Sequence, residues 1–275
     1  MTNFLVVCNL YLKNGAIPAE VHRAFKTLLY AAECSKYSEV TFSVAVLASE
    51  QAFIQSQIDN HNNVHFTLLP ADQQIPTVGD VLSSAFSWLE SSKIVIYLNA
   101  DICVPYYFFD FITANMGMVG PDGGLIVNRK DLLSANLNPF SDSPLVAKPH
   151  PGFDCMIFPA NKLKQFRFGN VSVGLPPVGA LFVVNMLALL NKVILINEPM
   201  LTWHEGSGEE SSWWTEERRK SVEKNLLESY EALEELLQLE CAAKTFVPIT
   251  HTETYIQGFM SWRSLHKQGV VFPTN

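Results

Sequence analysis

The sequence predicts a three-layer α/β sandwich with a mostly parallel central sheet and a C-terminal helical extension. Apolar runs and helix-spaced segments alternate through the first hundred residues, the pattern of a parallel sheet with right-handed crossovers. Of the 275 residues, 48% are hydrophobic and 17% charged, so a large core can form and global disorder is excluded. A charged amphipathic stretch over residues 215–243 supplies the extension.

The elements follow in order. Residues 4–8 are a short continuous apolar run, as in a strand buried on both faces. Pro18 lies in the first turn of a helix reaching Ala32, with Val21, Phe25, Leu28 and Leu29 on one face. Residues 40–47 read as strand, 52–58 as helix and 64–69 as a third strand. A helix over 77–89, with Val81, Leu82, Ala85, Phe86 and Leu89 inward, leads into 93–98, the most strand-like stretch. Beyond it, 123–127 reads as strand and 134–152, rich in Asn, Ser and Pro, as a long surface loop. Residues 155–158 form a short strand, 178–190 a buried helix and 193–196 a last strand. The helix at 215–243 carries an apolar stripe of Leu226, Leu227, Leu233, Leu236 and Leu237. Its own body or a second subunit would cover that stripe, so an oligomer stays open.

Composition excludes several functions. The net charge of -8 leaves no broad basic footprint for nucleic acid. Five cysteines, an odd number with no CxxC pair, argue against a disulfide framework or zinc knuckle and for free thiols in a reducing compartment. The N-terminal apolar run lacks a basic region before it and reads as a strand, not a signal peptide. The longest apolar stretch, 178–190, falls short of the roughly 18 residues of a membrane span. The expectation is a cytoplasmic protein with no transmembrane segment. GxGxxG, GxxxxGK[ST], GxSxG and HExxH are all absent, which removes dinucleotide, P-loop, hydrolase-elbow and zincin readings.

Three places carry chemistry. Asn99-Ala100-Asp101 follows the strand at 93–98, and ligands of open α/β sheets bind outside the carboxyl ends of strands. A carboxylate there suits Mg²⁺ or Mn²⁺, though Asp101 would equally cap the next turn. His204, in Thr202-Trp203-His204-Glu205-Gly206, is a usable Mn²⁺ ligand or donor, or simply a surface histidine. Asp154 follows the Pro- and Gly-rich run 149–152 and enters an apolar strand, where a carboxylate is costly unless bonded or functional. It would act as general base, or bond backbone amides of that run. More weakly, Arg129 would reach a phosphate or sit on a solvated basic turn, and Trp213-Trp214 would stack on a sugar or pack at a helix start.

In this order, these stretches resemble the GT-A glycosyltransferase family, including its small bacterial members, over about residues 4–206. The resemblance implies a Rossmann-type fold and a nucleotide-sugar donor. Asn99-Ala100-Asp101 resembles a relaxed DxD motif, with Asp101 on Mn²⁺ or Mg²⁺ and His204 as the late histidine completing the metal site. Thr77-Val78-Gly79-Asp80 resembles the helix start near the nucleotide, which places Gly79 there. Asp154 falls where the family has its acceptor-side acid. Asn9 and Tyr11 close the first strand, and Tyr11 is placed to stack on the nucleobase. Asn99 departs from the motif: it brings no charge to the metal and contacts ribose or sugar instead. The implied reaction moves the sugar to a hydroxyl acceptor, a glycan or other molecule, with inversion if Asp154 is the base. Residues 1–208 would be the nucleotide-sugar-binding and catalytic domain, and 209–275 a helix and tail packed on it. A non-catalytic nucleotide- or glycan-binding scaffold is the alternative. A sugar-1-phosphate nucleotidyltransferase is disfavoured, because residues 9–15 hold one Gly and no Arg.

Overall fold

The computed structural model describes residues 1–58, 61–69, 75–132, 147–197, 200–205, 216–237 and 245–247. Trp213, Trp214, Gly206, Gly208 and Cys241 lie outside the described residues, as does the expected boundary at 208/209.

β1 (Thr2–Asn9), β2 (Ser38–Leu47) and β3 (Val64–Leu69) are parallel neighbours, and β4 (Ile94–Leu98) lies parallel to β1 on its other side. β4 then pairs with β7 (Ala147–Pro159), which runs antiparallel to both β4 and β6 (Gly123–Leu132). Beyond β6 the direction is restored by parallel β8 (Lys192–Ile196) and β10 (Thr245–Val247). Two short strands, β5 (Ile102–Cys103) and β9 (Trp203–Glu205), pair with each other, and β9 also pairs with the end of β6.

Both faces of the sheet are covered, for a reason visible in the strand period of two. Leu5 and Val7 of β1, with Val95 and Tyr97 of β4, face α3 (Val78–Ser83), α5 (Val178–Leu189) and α6 (Glu216–Leu237). Phe4, Val6 and Cys8, with Ile94, Ile96 and Leu98, face α1 (Ala19–Cys34), α2 (Gln51–Gln57) and α4 (Phe108–Val119). Each fully buried aliphatic or aromatic side chain contributes about 1.5–3 kcal/mol. On the first face Tyr97 stacks on Phe182 of α5 at 4.3 Å between ring centroids. Burial pushes the Cys8 thiol up to about 12, and those of Cys103 and Cys155 also upward, so these are inert core sulfurs. Among the described residues no helix is long and apolar enough to cross a membrane.

Several expectations need correction. The 77–89 helix ends at Ser83, because the Ser83 and Ser84 hydroxyls donate to the Asp80 and Val81 carbonyls. A single tighter turn, Phe86–Trp88, follows. The loop expected at 134–152 is strand from Ala147 on: Ala147, Lys148 and Pro149 stand opposite Leu132, Asp131 and Lys130. Its prolines are tolerated at a strand end next to register shifts in β6. α4 escaped the sequence reading; Phe108, Phe109 and Ile112 bury it, and Asp110 accepts from the Ser35 hydroxyl at 2.7 Å. On α6 the buried face runs through Asn225, Ser229, Ala232 and Leu236, and Leu227 points to solvent at 49% exposure. Of the expected stripe, Leu236 is buried in the chain's own core and Leu226 packs against it, Leu227 does not belong to it, and the side chains of Leu233 and Leu237 lie outside the described residues.

Gly179 marks a close approach of α5 to β7. A Cβ there would lie 2.4 Å from the Phe153 carbonyl oxygen, next to Asp154. Gly179→Ala is expected to lose about 1–3 kcal/mol by overpacking, read as a lower urea midpoint. Gly79→Ala, whose Cβ meets nothing closer than 3.7 Å, is expected to leave the midpoint essentially unchanged.

Candidate functional site

The site grows from the end of β4. Leu98 is the last buried strand residue, and Asn99 begins a turn closed by the Ile102 amide donating to the Asn99 carbonyl at 3.2 Å. The turn leads into β5, where Ile102 stands opposite His204 of β9. On its other edge β9 places His204 opposite Asp131 of β6. Trp203 and Glu205 point inward and His204 outward, as strand alternation requires. Glu205 forms an ion pair with Arg23 of α1, and Trp203 packs with Ala24, Cys103 and Leu132, which fixes β9 from behind.

Asp101 and His204 meet at 3.2 Å, carboxylate Oδ2 to imidazole Nε2. Asp131 lies 3.9 Å from His204 Nδ1 and 3.2 Å from Arg129 Nε. Arg129 also reaches Asp154 Oδ2 at 3.2 Å through Nη1. The Asn99 side-chain amide donates to Asp154 Oδ1, and the Asn99 backbone amide donates to the Asp154 carbonyl at 3.1 Å. Asn99, Asp101, Arg129, Asp154 and His204 thus form one network, joined by Asp131.

Asp131 is the member that sequence reading missed. Arg129 and Asp131 are two apart, so on a strand they share a face. That signal was hidden because the expected strand stopped at Val127, whereas β6 continues to Leu132. Arg129 is correspondingly no solvated turn residue but a strand residue with 14% side-chain exposure.

The remaining expected residues are Asn9, Tyr11 and Gly79. Asn9 is buried at the end of β1, opposite Ala45. Tyr11, 37% exposed, follows in a turn braced by the Leu12 amide donating to Glu50 Oε2 at 3.3 Å. Burial, then the Asp101 and Glu20 charges, raise its pKa, against Arg218. Gly79 sits in the first turn of α3, which Thr77 and Asp80 close with a capping box, and its neighbours are Thr77 and Gly169.

Three carboxylates face one guanidinium and one imidazole, an arrangement that attracts a cation. Asp101 and His204 are 30% and 22% exposed, and their spacing suits two adjacent ligands of one six-coordinate ion. Among the described residues no group of three or more His, Cys, Asp or Glu side chains is arranged to hold a metal. Two protein ligands with substrate oxygens and water completing the shell is the common pattern for Mg²⁺.

Burial works to raise the Asp101 pKa, but the hydrogen bond and charge of His204, with Arg129 beyond, hold it below its ordinary 3.8. The hydrogen bond to Asp101 raises the His204 pKa above its ordinary 6.5, against burial. His204's share of stability is complete below pH 6.5 and is lost as pH rises through its raised folded value. Asp101's share is complete above pH 3.8 and is lost as pH falls through its lowered folded value. In the metal-free protein, Asp101→Asn is therefore expected to cost more unfolding free energy at about pH 5.5 than at about pH 8.5. Urea denaturation at both values checks this, and equal losses would refute a titrating pair.

No protein-family model and no curated protein matches the chain. Solved structures do. S. aureus TarS 1-349 in complex with UDP-GlcNAc aligns with a TM-score of 0.56 and 13% identity, over 94% of this chain and 72% of that one. A second structure of S. aureus TarS 1-349 aligns with a TM-score of 0.50 and 10% identity, over 100% and 94% of the two chains. TarS is a GT-A-like glycosyltransferase, and what this chain shares with it at such low identity is architecture: a GT-A-type, Rossmann-like α/β sandwich with a mostly parallel central sheet.

Proposed function

We propose that the chain is a glycosyltransferase that binds a nucleotide-diphosphate sugar at the carboxyl ends of β1 and β4 and moves the sugar to a hydroxyl acceptor. The observation that carries this reading is the Asp101–His204 pair, assembled at 3.2 Å from the turn after β4 and from β9, at the edge where α/β sheets bind ligands. Asp101 and His204 would hold Mn²⁺ or Mg²⁺. When bound, the ion supplies charge neutralisation at the departing diphosphate. Tyr11 is placed against the base and Asn99 against ribose or sugar, with Asn9 and Gly79 lining the same edge.

In the transfer, the bond from the anomeric carbon to the diphosphate oxygen breaks, and a bond to the acceptor oxygen forms. The acceptor proton would pass to Asp154, giving inversion. Asp154 is braced by Asn99 and Arg129, so one of its oxygens must exchange a partner for the acceptor hydroxyl. That bracing also favours a second reading, a non-catalytic nucleotide- or glycan-binding protein, because Asn99 replaces a charge with an amide already committed to Asp154.

Calorimetric titration with a panel of nucleotide-sugars beginning with UDP-GlcNAc, with and without Mn²⁺, tests the donor site. Binding is expected to need Mn²⁺ and to weaken at least about tenfold in Asp101→Ala, since even groups that merely orient metal ligands are worth about 10–100-fold. No binding to any donor by folded protein would end this reading. Asp154→Asn is expected to abolish transfer while leaving donor binding measurable. Turnover retained in that variant would remove Asp154 as base, and donor binding without turnover in the wild type would favour the binding-protein reading.

A further inference from the structure

A diphosphate needs more than a metal, and Arg129 is engaged with Asp131 and Asp154. A second guanidinium reaches the same edge from α6. Arg218, in the first turn of that helix, donates from Nη2 to the Gly174 carbonyl oxygen at 3.4 Å. Two turns on, Asn225 takes both backbone groups of Ser172, accepting from its amide at 2.8 Å and donating to its carbonyl at 2.9 Å. Glu228 accepts from the Asn170 side chain at 3.1 Å. Segment 170–174 is bonded in turn to the start of α3: the Val78 amide donates to the Val171 carbonyl at 2.8 Å, and the Val173 amide to the Pro76 carbonyl at 3.0 Å. α6 is thereby locked, through one layer of backbone, to the helix start that carries Gly79. This lock sets where Arg218 stands.

The turn after β1 is also near Arg218: Tyr11 feels the charges of both Arg218 and Asp101. Arg218 is partly desolvated, and burial lowers its pKa although Tyr11 opposes this. A guanidinium stays charged even so, and a half-buried one binds anions more strongly than one in open water.

We infer that Arg218, held beside the start of α3, contacts the diphosphate of a nucleoside-diphosphate donor bound at the Asp101–His204 pair. This rests on the donor-site reading above. α6 is then part of the substrate site and not only a covering helix.

The test compares UDP and uridine binding, both with Mn²⁺, in wild type, Arg218→Gln and Arg218→Met. UDP affinity is expected to fall about tenfold or more in both variants, as for loss of a charge-assisted contact, with uridine affinity unchanged. Wild-type UDP binding equalled by a folded variant would overturn the role of Arg218 and leave the donor site standing. Equal losses for UDP and uridine would also overturn it, by showing a structural effect. If the donor panel selects another base, its nucleoside diphosphate and nucleoside replace UDP and uridine; no nucleoside diphosphate bound by the wild type would remove the donor site and this inference with it. If neither variant folds, the wild type decides: UDP should shield Arg218 from phenylglyoxal, and lack of protection, read by mass spectrometry, would overturn the inference.

Discussion

The site depends on one strand serving two pairings. The first half of β6 lies in the main sheet between β7 and β8, and its second half leaves β8 and pairs with β9. Register shifts at Asn128 mark the change, and irregularities of this kind commonly re-aim side chains beside functional sites. Because β9 also pairs with β5, just after Asp101, the divergence of β6 brings residues 101, 131 and 204 together. A β6 that stayed flat would leave β9 with only the two-residue strand β5 to hold it.

Charge gives that geometry its meaning. Asp101, Asp131 and Asp154 would repel one another were Arg129 not between two of them and His204 beside the third. The opposed pKa shifts of Asp101 and His204 are the electrostatic trace of this coupling.

The second half of the molecule supports the first by ties of different strength. α5 packs Phe182 on Tyr97 and its Gly179 on the β7 backbone, so it holds Asp154's strand directly. α6 is held both by Tyr230, Ala232 and Leu236 in the core and by polar ties, Asn225 to Ser172 and Glu228 to Asn170. Such hydrogen bonds are each worth about 0.5–1.5 kcal/mol.

Much of this was legible in the chain before folding. The strand and helix alternation over residues 1–98 is written in local periodicity, because burial on both faces demands continuous apolar runs. Asp101, His204 and Asp154 stood out because polar residues beside buried strands need a reason. Their partners did not stand out. Arg129 looked like a turn residue and Asp131 went unread until pairing with β7 and β9 made them strand, and strand 147–152 looked like loop because its prolines argue locally against one. Local sequence determined the fold class and the residues worth watching. Tertiary structure alone decided that they meet, since pairing between residues a hundred positions apart is set by register and sheet twist, which no local pattern encodes.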